Sequence, residues 1–130
     1  MYAINFYSPV FADQLRKRRK TATIRLGDES DKYREGQVVW VTVGRRYGPR
    51  KKVFCAVLDS VDYKPLKELT RRDIERENPE FRSHSEVRDF LETLYDRPVV
   101  LDDMVTVIHF SDISEEPPPG EQFISDLESE

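Results

Sequence analysis

The sequence predicts an α+β fold, a small mixed β-barrel with two or three flanking helices. Segments that alternate with period two outnumber segments with helical period. Spacings suited to hairpins dominate the connections between strands. The chain has 130 residues and 38% hydrophobic side chains, enough for one core and not for two.

The chain opens on a strand, in which Tyr2, Ile4 and Phe6 alternate with Ala3, Asn5 and Tyr7. Ser8 suits an N-cap and Pro9 the first position of a helix whose apolar face is Val10, Phe11 and Leu15. The basic run Arg16, Lys17, Arg18, Arg19 and Lys20 is expected in that helix's last turn, where cations meet the negative end of the dipole. The period then changes to two. Thr21, Thr23 and Arg25 point one way, and Ala22, Ile24 and Leu26 the other. A polar loop follows, and Gly36 turns the chain into a strand over 37–43.

Residues 44–52 read as a loop with five basic residues, Arg45, Arg46, Arg50, Lys51 and Lys52, around Tyr47, Gly48 and Pro49. The return strand is expected from 53 to about 61, and a helical turn over 65–69. Thr70 starts a helix with Asp73 three residues on as a capping-box partner, and Asn78-Pro79 stops it after Glu77. Val87, Phe90, Leu91, Leu94 and Tyr95 give the next helix its face, and Asp96-Arg97-Pro98 ends it. A short strand over 99–101 and a longer one over 104–110 close the fold. Cys55 reads as a small core residue and His109 as a surface or satisfied residue. Residues 1–114 form the expected domain. Residues 115–130, with three successive prolines and an acidic remainder, read as a disordered tail.

Charge separates the two parts. The chain carries a formal −4, but six acidic and no basic residues fall in 115–130, leaving 19 Asp+Glu against 21 Lys+Arg, or +2, for the body. Such a body can contact nucleic acid through local clusters without being a strongly basic domain. One cysteine excludes an internal disulfide and a cysteine-based metal cluster, and the two histidines, His84 and His109, show no ligand spacing. No metal or cofactor is expected. No apolar run approaches a membrane span and no signal-peptide pattern opens the chain, so a cytoplasmic protein without a membrane partner is the expectation.

The stretch with the most chemistry is 20–25. A strand face carrying two hydroxyls and a guanidinium, with a lysine at its start, suits a site, although threonine is also a common strand former. The basic run likewise has two readings, helix-end charge and phosphate contact. The basic loop can be a solvated hairpin tip or, with its tyrosine, a nucleic-acid contact.

Arg19-Lys20-Thr21-Ala22-Thr23-Ile24-Arg25 resembles the signature region of ASCH domains, members of the PUA-like superfamily. Gly36-Gln37-Val38-Val39, the pair Glu77-Asn78 and the closing strand from Val105 to Phe110 fit the same pattern. The likeness spans residue 2 to about 113. Two positions depart from the wider motif. Arg18 stands in place of a glycine, and Thr23 in place of a glutamate. The threonine is what the small ASCH proteins that hydrolyse N4-acetylcytidine to cytidine and acetate carry there.

The resemblance implies a metal-independent amidohydrolase acting on a modified cytosine nucleoside, with Lys20, Thr23 and Glu77 as the catalytic set. Apart from the resemblance, Arg25 shares the face of Thr23 and could hold a substrate carbonyl or polarise the acyl oxygen, with Thr21 and Arg19 as further substrate contacts, and Phe6 or Tyr7 could stack on the pyrimidine, for which the sequence shows no motif. The alternative is a non-catalytic RNA-binding module that uses Arg16, Lys17 and Arg18 together with Arg45, Arg46, Lys51 and Lys52. A ribonuclease is a third possibility, which some ASCH proteins resemble.

The chemistry sets conditions on the geometry. A threonine hydroxyl needs a base, and a lysine is one only when its pKa is lowered from about 10.4. In a straight strand residues 20 and 23 face opposite sides roughly 10 Å apart. Lys20 must therefore lie at a bend with its stem folded back.

Overall fold

A computed structural model describes residues 2–7, 10–45, 47–113 and 123–124, without the side chains of Val10, Phe123 and Ile124. The described elements run β1 (Ala3–Phe6), α1 (Val10–Arg16), β2 (Ala22–Leu26), β3 (Val38–Gly44), β4 (Arg50–Pro65), a 3-10 turn (Leu66–Glu68), α2 (Arg71–Glu77), α3 (His84–Tyr95), β5 (Met104–Asp112) and β6 (Phe123–Ile124). The strands form one mixed sheet in the order β1-β3-β4-β5-β2, with β6 on β4. Only β1 with β3 is parallel among these pairs. The expected α+β class holds, and the sheet is a curled half-barrel flanked by three helices.

The curl follows from which faces are apolar. Strand alternation sends Ile108 and Phe110 of β5 to the inside, with Ile4, Phe6, Val39, Val41, Phe54 and Leu58, and α1 adds Phe11 and Leu15. Val105 and Val107 turn to the outside, where Ile24 joins Leu66, Leu69, Ile74, Val87, Leu91 and Val99 beneath α2 and α3. The two end strands then approach each other. Arg25 of β2 donates from Nη2 to the Asn5 carbonyl of β1 at 3.1 Å, bridging the seam where the barrel stays open.

Several expectations are corrected. Helix α1 ends at Arg16, so Lys17 to Lys20 lie in the connection to β2 and not in the helix. Arg18, in the glycine position of the motif, adopts a left-handed φ of 57°. Its guanidinium pairs with Asp112 at 2.6 Å and lies 4.2 Å from the Phe54 ring centroid, which anchors a turn a glycine would make without strain. β4 is sixteen residues long, starting at Arg50 and reaching Pro65 through a bulge between Leu58 and Ser60. The basic residues 50–52 therefore belong to a strand. Residues 99–101 form no strand. Val99 is instead a buried anchor whose amide donates to Glu92 Oε2 at 2.9 Å.

The capping box of α2 is present. Asp73 N donates to Thr70 Oγ1 at 3.1 Å and Thr70 N to Asp73 Oδ2 at 2.9 Å. The Ser8-Pro9 cap and most of the acidic segment lie outside the described residues. Phe123 and Ile124 pair with Lys51 and Arg50.

Candidate active site

A cavity of about 340 Å³ occupies the seam between β1 and β2. Asn5, Phe6 and Tyr7 form one wall, Thr23, Ile24 and Arg25 the other. Lys20 and Glu77 lie at its side, and Phe11, Phe90, Leu94 and Tyr95 bring α1 and α3 to it. Phe11 meets Phe6 and Phe90 edge-on at 6.1 and 5.6 Å between centroids, so one wall is a continuous aromatic surface.

The bend after α1 places Lys20. Its backbone amide still bonds back to Gln14 O at 3.3 Å, while Thr21 N donates to Arg76 O at 3.0 Å and starts the strand. The side chain folds back and is fully buried. Nζ donates to the Ala22 and Glu77 carbonyls, each at 2.8 Å, and to Glu77 Oε2. Three acceptors match the three protons of an ammonium. Nζ also lies 4.4 Å from the Phe11 ring centroid and 5.0 Å from that of Phe6. Burial pulls the Lys20 pKa below its ordinary value; the Glu77 carboxylate opposes this and the Arg25 guanidinium adds to it.

Glu77 is the last residue of α2 and is 1% exposed. Its second oxygen, Oε1, accepts from Ile24 N at 2.8 Å, tying helix to strand edge. Thr23 is buried on the inner face, and its Oγ1 accepts from Arg25 Nε at 3.3 Å. A guanidinium that donates to a hydroxyl oxygen favours negative charge developing there. The Arg25 head lies 5.6 Å from the Phe6 centroid and 6.0 Å from that of Tyr33.

Lys20, Thr23, Arg25 and Glu77 thus come together. Arg19 is exposed and Thr21 half-buried, and neither lines the cavity. Of the residues expected at RNA, Arg16, Lys17, Arg18, Arg45 and Lys51 are exposed. Lys17 pairs with Asp13 at 3.3 Å, and Lys52 lies 4.0 Å from the Trp40 ring centroid. Arg46 lies outside the described residues. His109 is buried and satisfied, with Nε2 2.7 Å from Asp73 Oδ1 on the outer face. Sequence reasoning missed Asn5, Phe11, Ile24, Phe90, Leu94 and Tyr95 as cavity residues. Leu94 and Tyr95 fall on a helical apolar stripe, and their place next to the helix-ending Asp96-Arg97-Pro98 was the available signal that they leave the core.

The curled mixed sheet with three helices has the fold of an ASCH domain. Two solved structures show the likeness. An ASCH domain from Lactobacillus crispatus JV V101 superposes with a TM-score of 0.62 at 14% identity, covering 85% of this chain and 79% of that one. Protein EF3133 from Enterococcus faecalis V583, of family DUF984, superposes with a TM-score of 0.63 at 12% identity, covering 90% of this chain and 85% of that one. At these identities the likeness is one of fold. No protein-family model matches the chain, and no curated protein matches it. Among the described residues no helix is long and apolar enough to cross a membrane.

Proposed function

We propose that the protein is an amidohydrolase that cleaves the N4-acyl amide of N4-acetylcytidine, or of a related N-acylated cytosine nucleoside, to the free amine and the carboxylate. One observation carries the reading. A buried hydroxyl with a guanidinium on its oxygen shares a cavity with a fully buried lysine–carboxylate pair. A buried ion pair contributes little net stability, so its place beside a cavity points to chemistry.

The saturated Lys20 ammonium is not itself a base. Passing one proton to Glu77 Oε2 leaves a neutral amine and a carboxylic acid, and burial of Lys20 favours that transfer. Thr23 Oγ1 then attacks the acyl carbon while its proton goes to Lys20. Arg25 holds the developing oxyanion. Collapse breaks the C–N bond, and the leaving amine takes the proton from the Lys20–Glu77 pair. Water attacks the acyl-threonine ester and releases the acid, restoring the hydroxyl. The aromatic wall of Phe6, Phe11 and Phe90 suits a planar ring.

The test is incubation with N4-acetylcytidine and chromatography for cytidine. Thr23→Ala is expected to lower turnover roughly a thousandfold while the protein still melts cooperatively and binds the nucleoside. A folded Thr23→Ala protein that releases cytidine at the parent rate would remove the nucleophile assignment.

A second reading has its own observation. Tyr47 stands 86% exposed at the β3–β4 hairpin tip with a left-handed φ of 62°, and Arg45 and Lys51 are exposed beside it. Exposed aromatic and cationic side chains together suit single-stranded RNA. The salt dependence of oligonucleotide binding tests it.

A further inference from the structure

The cavity lies between two strand edges, and the ladder fixes which backbone groups face it. Phe110 N donates to Thr21 O and Gly27 N to Met104 O, each at 3.0 Å. Odd-numbered residues of β2 therefore turn their backbone groups to β5, and Ala22, Ile24 and Leu26 turn theirs to the seam. Side chains meet three of those groups. Lys20 Nζ donates to the Ala22 carbonyl, Ile24 N donates to Glu77 Oε1, and Leu26 N donates to Tyr95 Oη at 3.3 Å.

The Ile24 carbonyl lies among these groups and meets no donor among the described residues. The ladder turns this carbonyl to the seam, where Ile24 lines the cavity, so it can accept from a group that enters. The Tyr95 hydroxyl accepts from Leu26 and keeps its own proton to donate. No acceptor among the described residues takes that proton. Ile24 and Tyr95 both line the cavity. The β2 edge thus offers an acceptor followed by a donor, beside the hydroxyl of Thr23.

An N-acylated 4-aminopyrimidine presents the complement. Its amide N–H and ring nitrogen N3 lie side by side on one edge, a donor next to an acceptor. We propose that the Ile24 carbonyl accepts the N–H of the scissile amide while the Tyr95 hydroxyl donates to the adjacent ring nitrogen, so that the site selects secondary amides on a pyrimidine. This deepens the amidohydrolase reading and rests on it. The selectivity has a physical basis, since a site built to bond a polar group rejects an analogue that lacks it far more strongly than one that differs by a methylene.

The experiment uses three compounds and two proteins. The compounds are N4-acetylcytidine, its N4-methyl derivative, which has no N–H, and its 3-deaza analogue, which has C–H in place of N3. The proteins are the parent and Tyr95→Phe, a change at a side chain 39% exposed that leaves the ring. Binding is read by calorimetry and turnover by chromatography. The N4-methyl compound is expected to bind the parent at least about a hundredfold more weakly. Tyr95→Phe is expected to raise KM for N4-acetylcytidine about tenfold with kcat within twofold. The 3-deaza analogue is expected to bind the parent about tenfold more weakly and to lose nothing more in Tyr95→Phe.

An equal Tyr95→Phe penalty on both compounds would make the tyrosine a structural support of Leu26 and overturn the assignment. So would an N4-methyl derivative that binds as tightly as the parent compound. If no compound is cleaved but calorimetry shows the expected pattern, the recognition stands and the hydrolase reading falls.

Discussion

Asp73 and Glu77 lie one turn apart on α2, and both are buried, at 5% and 1% exposure. Asp73 faces the outside of the half-barrel. Its Oδ1 meets His109 Nε2 at 2.7 Å, and its Oδ2 pairs with Lys64 Nζ at 2.7 Å and accepts from Thr70 N at 2.9 Å. Those partners come from β5, β4 and the helix's own cap, so the carboxylate clamps α2 onto the sheet. Burial alone would push its pKa up. The hydrogen bonds from His109 and Lys64 and from the Thr70 amide outweigh it and hold the carboxyl well below the usual range. Glu77 also ties helix to sheet, through Ile24 N, but its other oxygen meets a lysine at the edge of a cavity. Two similar side chains on one helix thus differ in what lies beyond their partners, protein in one case and open space in the other.

The comparison is broken most sharply at the inner pair. Lys20→Met leaves the Glu77 charge buried without its partner and is expected to cost about 3–5 kcal/mol in urea unfolding. Adding Glu77→Leu removes the charge as well. The double variant is expected to recover the part of that loss due to the buried charge, keeping the cost of an Ile24 amide without an acceptor and of the Ala22 and Glu77 carbonyls without the Lys20 donor, while turnover stays absent. A double variant as unstable as the single one would mean that the pair is kept for the fold.

The outer cluster is expected to answer in the opposite way. Asp73→Asn keeps the shape but weakens the bonds to His109 and Lys64, at about 1–3 kcal/mol. The activity of the folded protein should not change, whereas Glu77→Gln should lower it. The pH dependence follows from the sign of the shift. A carboxyl held below its unfolded value contributes its full stability above about pH 4, and the contribution is lost as pH falls toward the folded pKa. The difference in unfolding free energy between parent and Asp73→Asn should therefore narrow as pH falls below about 4. A gap that stays constant through this range would show that the charge of Asp73 does not support the fold.

What the sequence disclosed about these two regions follows from the range of the interactions. The capping box at Thr70 and Asp73 was legible because its partners are three residues apart. The switch to period two at Thr21 marked β2, and the bend it required of Lys20 is present. The Lys20–Glu77 contact spans 57 residues, and no local pattern encodes it. Only the resemblance joined them. The clamp of Asp73 by His109, 36 residues away, was invisible for the same reason. β4 was read too short because Asp59, Ser60, Asp62 and Lys64 give it a polar second half. Pairing with β5 from Ala56 to Pro65 holds that half in the sheet despite weak local preference. Val99 and Val100 suggest a strand by composition, yet only Val99 is buried, as a single anchor under α3.

The smallest effect is expected from removing 115–130, and it separates the seam cavity from the basic hairpin. Described pairing between this segment and the body is the two-residue β6, whose Phe123 and Ile124 register with Lys51 and Arg50. Losing so short a ladder is expected to change unfolding free energy by under about 1 kcal/mol and to leave hydrolysis unaltered. The charge changes more. Six acidic residues leave, and the formal net charge moves from −4 to +2. If the hairpin binds RNA, the truncated chain should bind a single-stranded oligonucleotide more tightly at low salt, because fewer like charges oppose the phosphates. Replacing Arg45, Lys51 and Lys52 by alanine in that chain should flatten the slope of log affinity against log salt by about 2, since each phosphate contact on a single strand contributes about 0.7. Hydrolysis of N4-acetylcytidine should not follow either change, because none of the three cations lines the cavity. A truncated chain that shows no binding at low salt would assign the hairpin's charges to keeping its exposed edge from pairing, and would leave the seam as the site at which this protein acts.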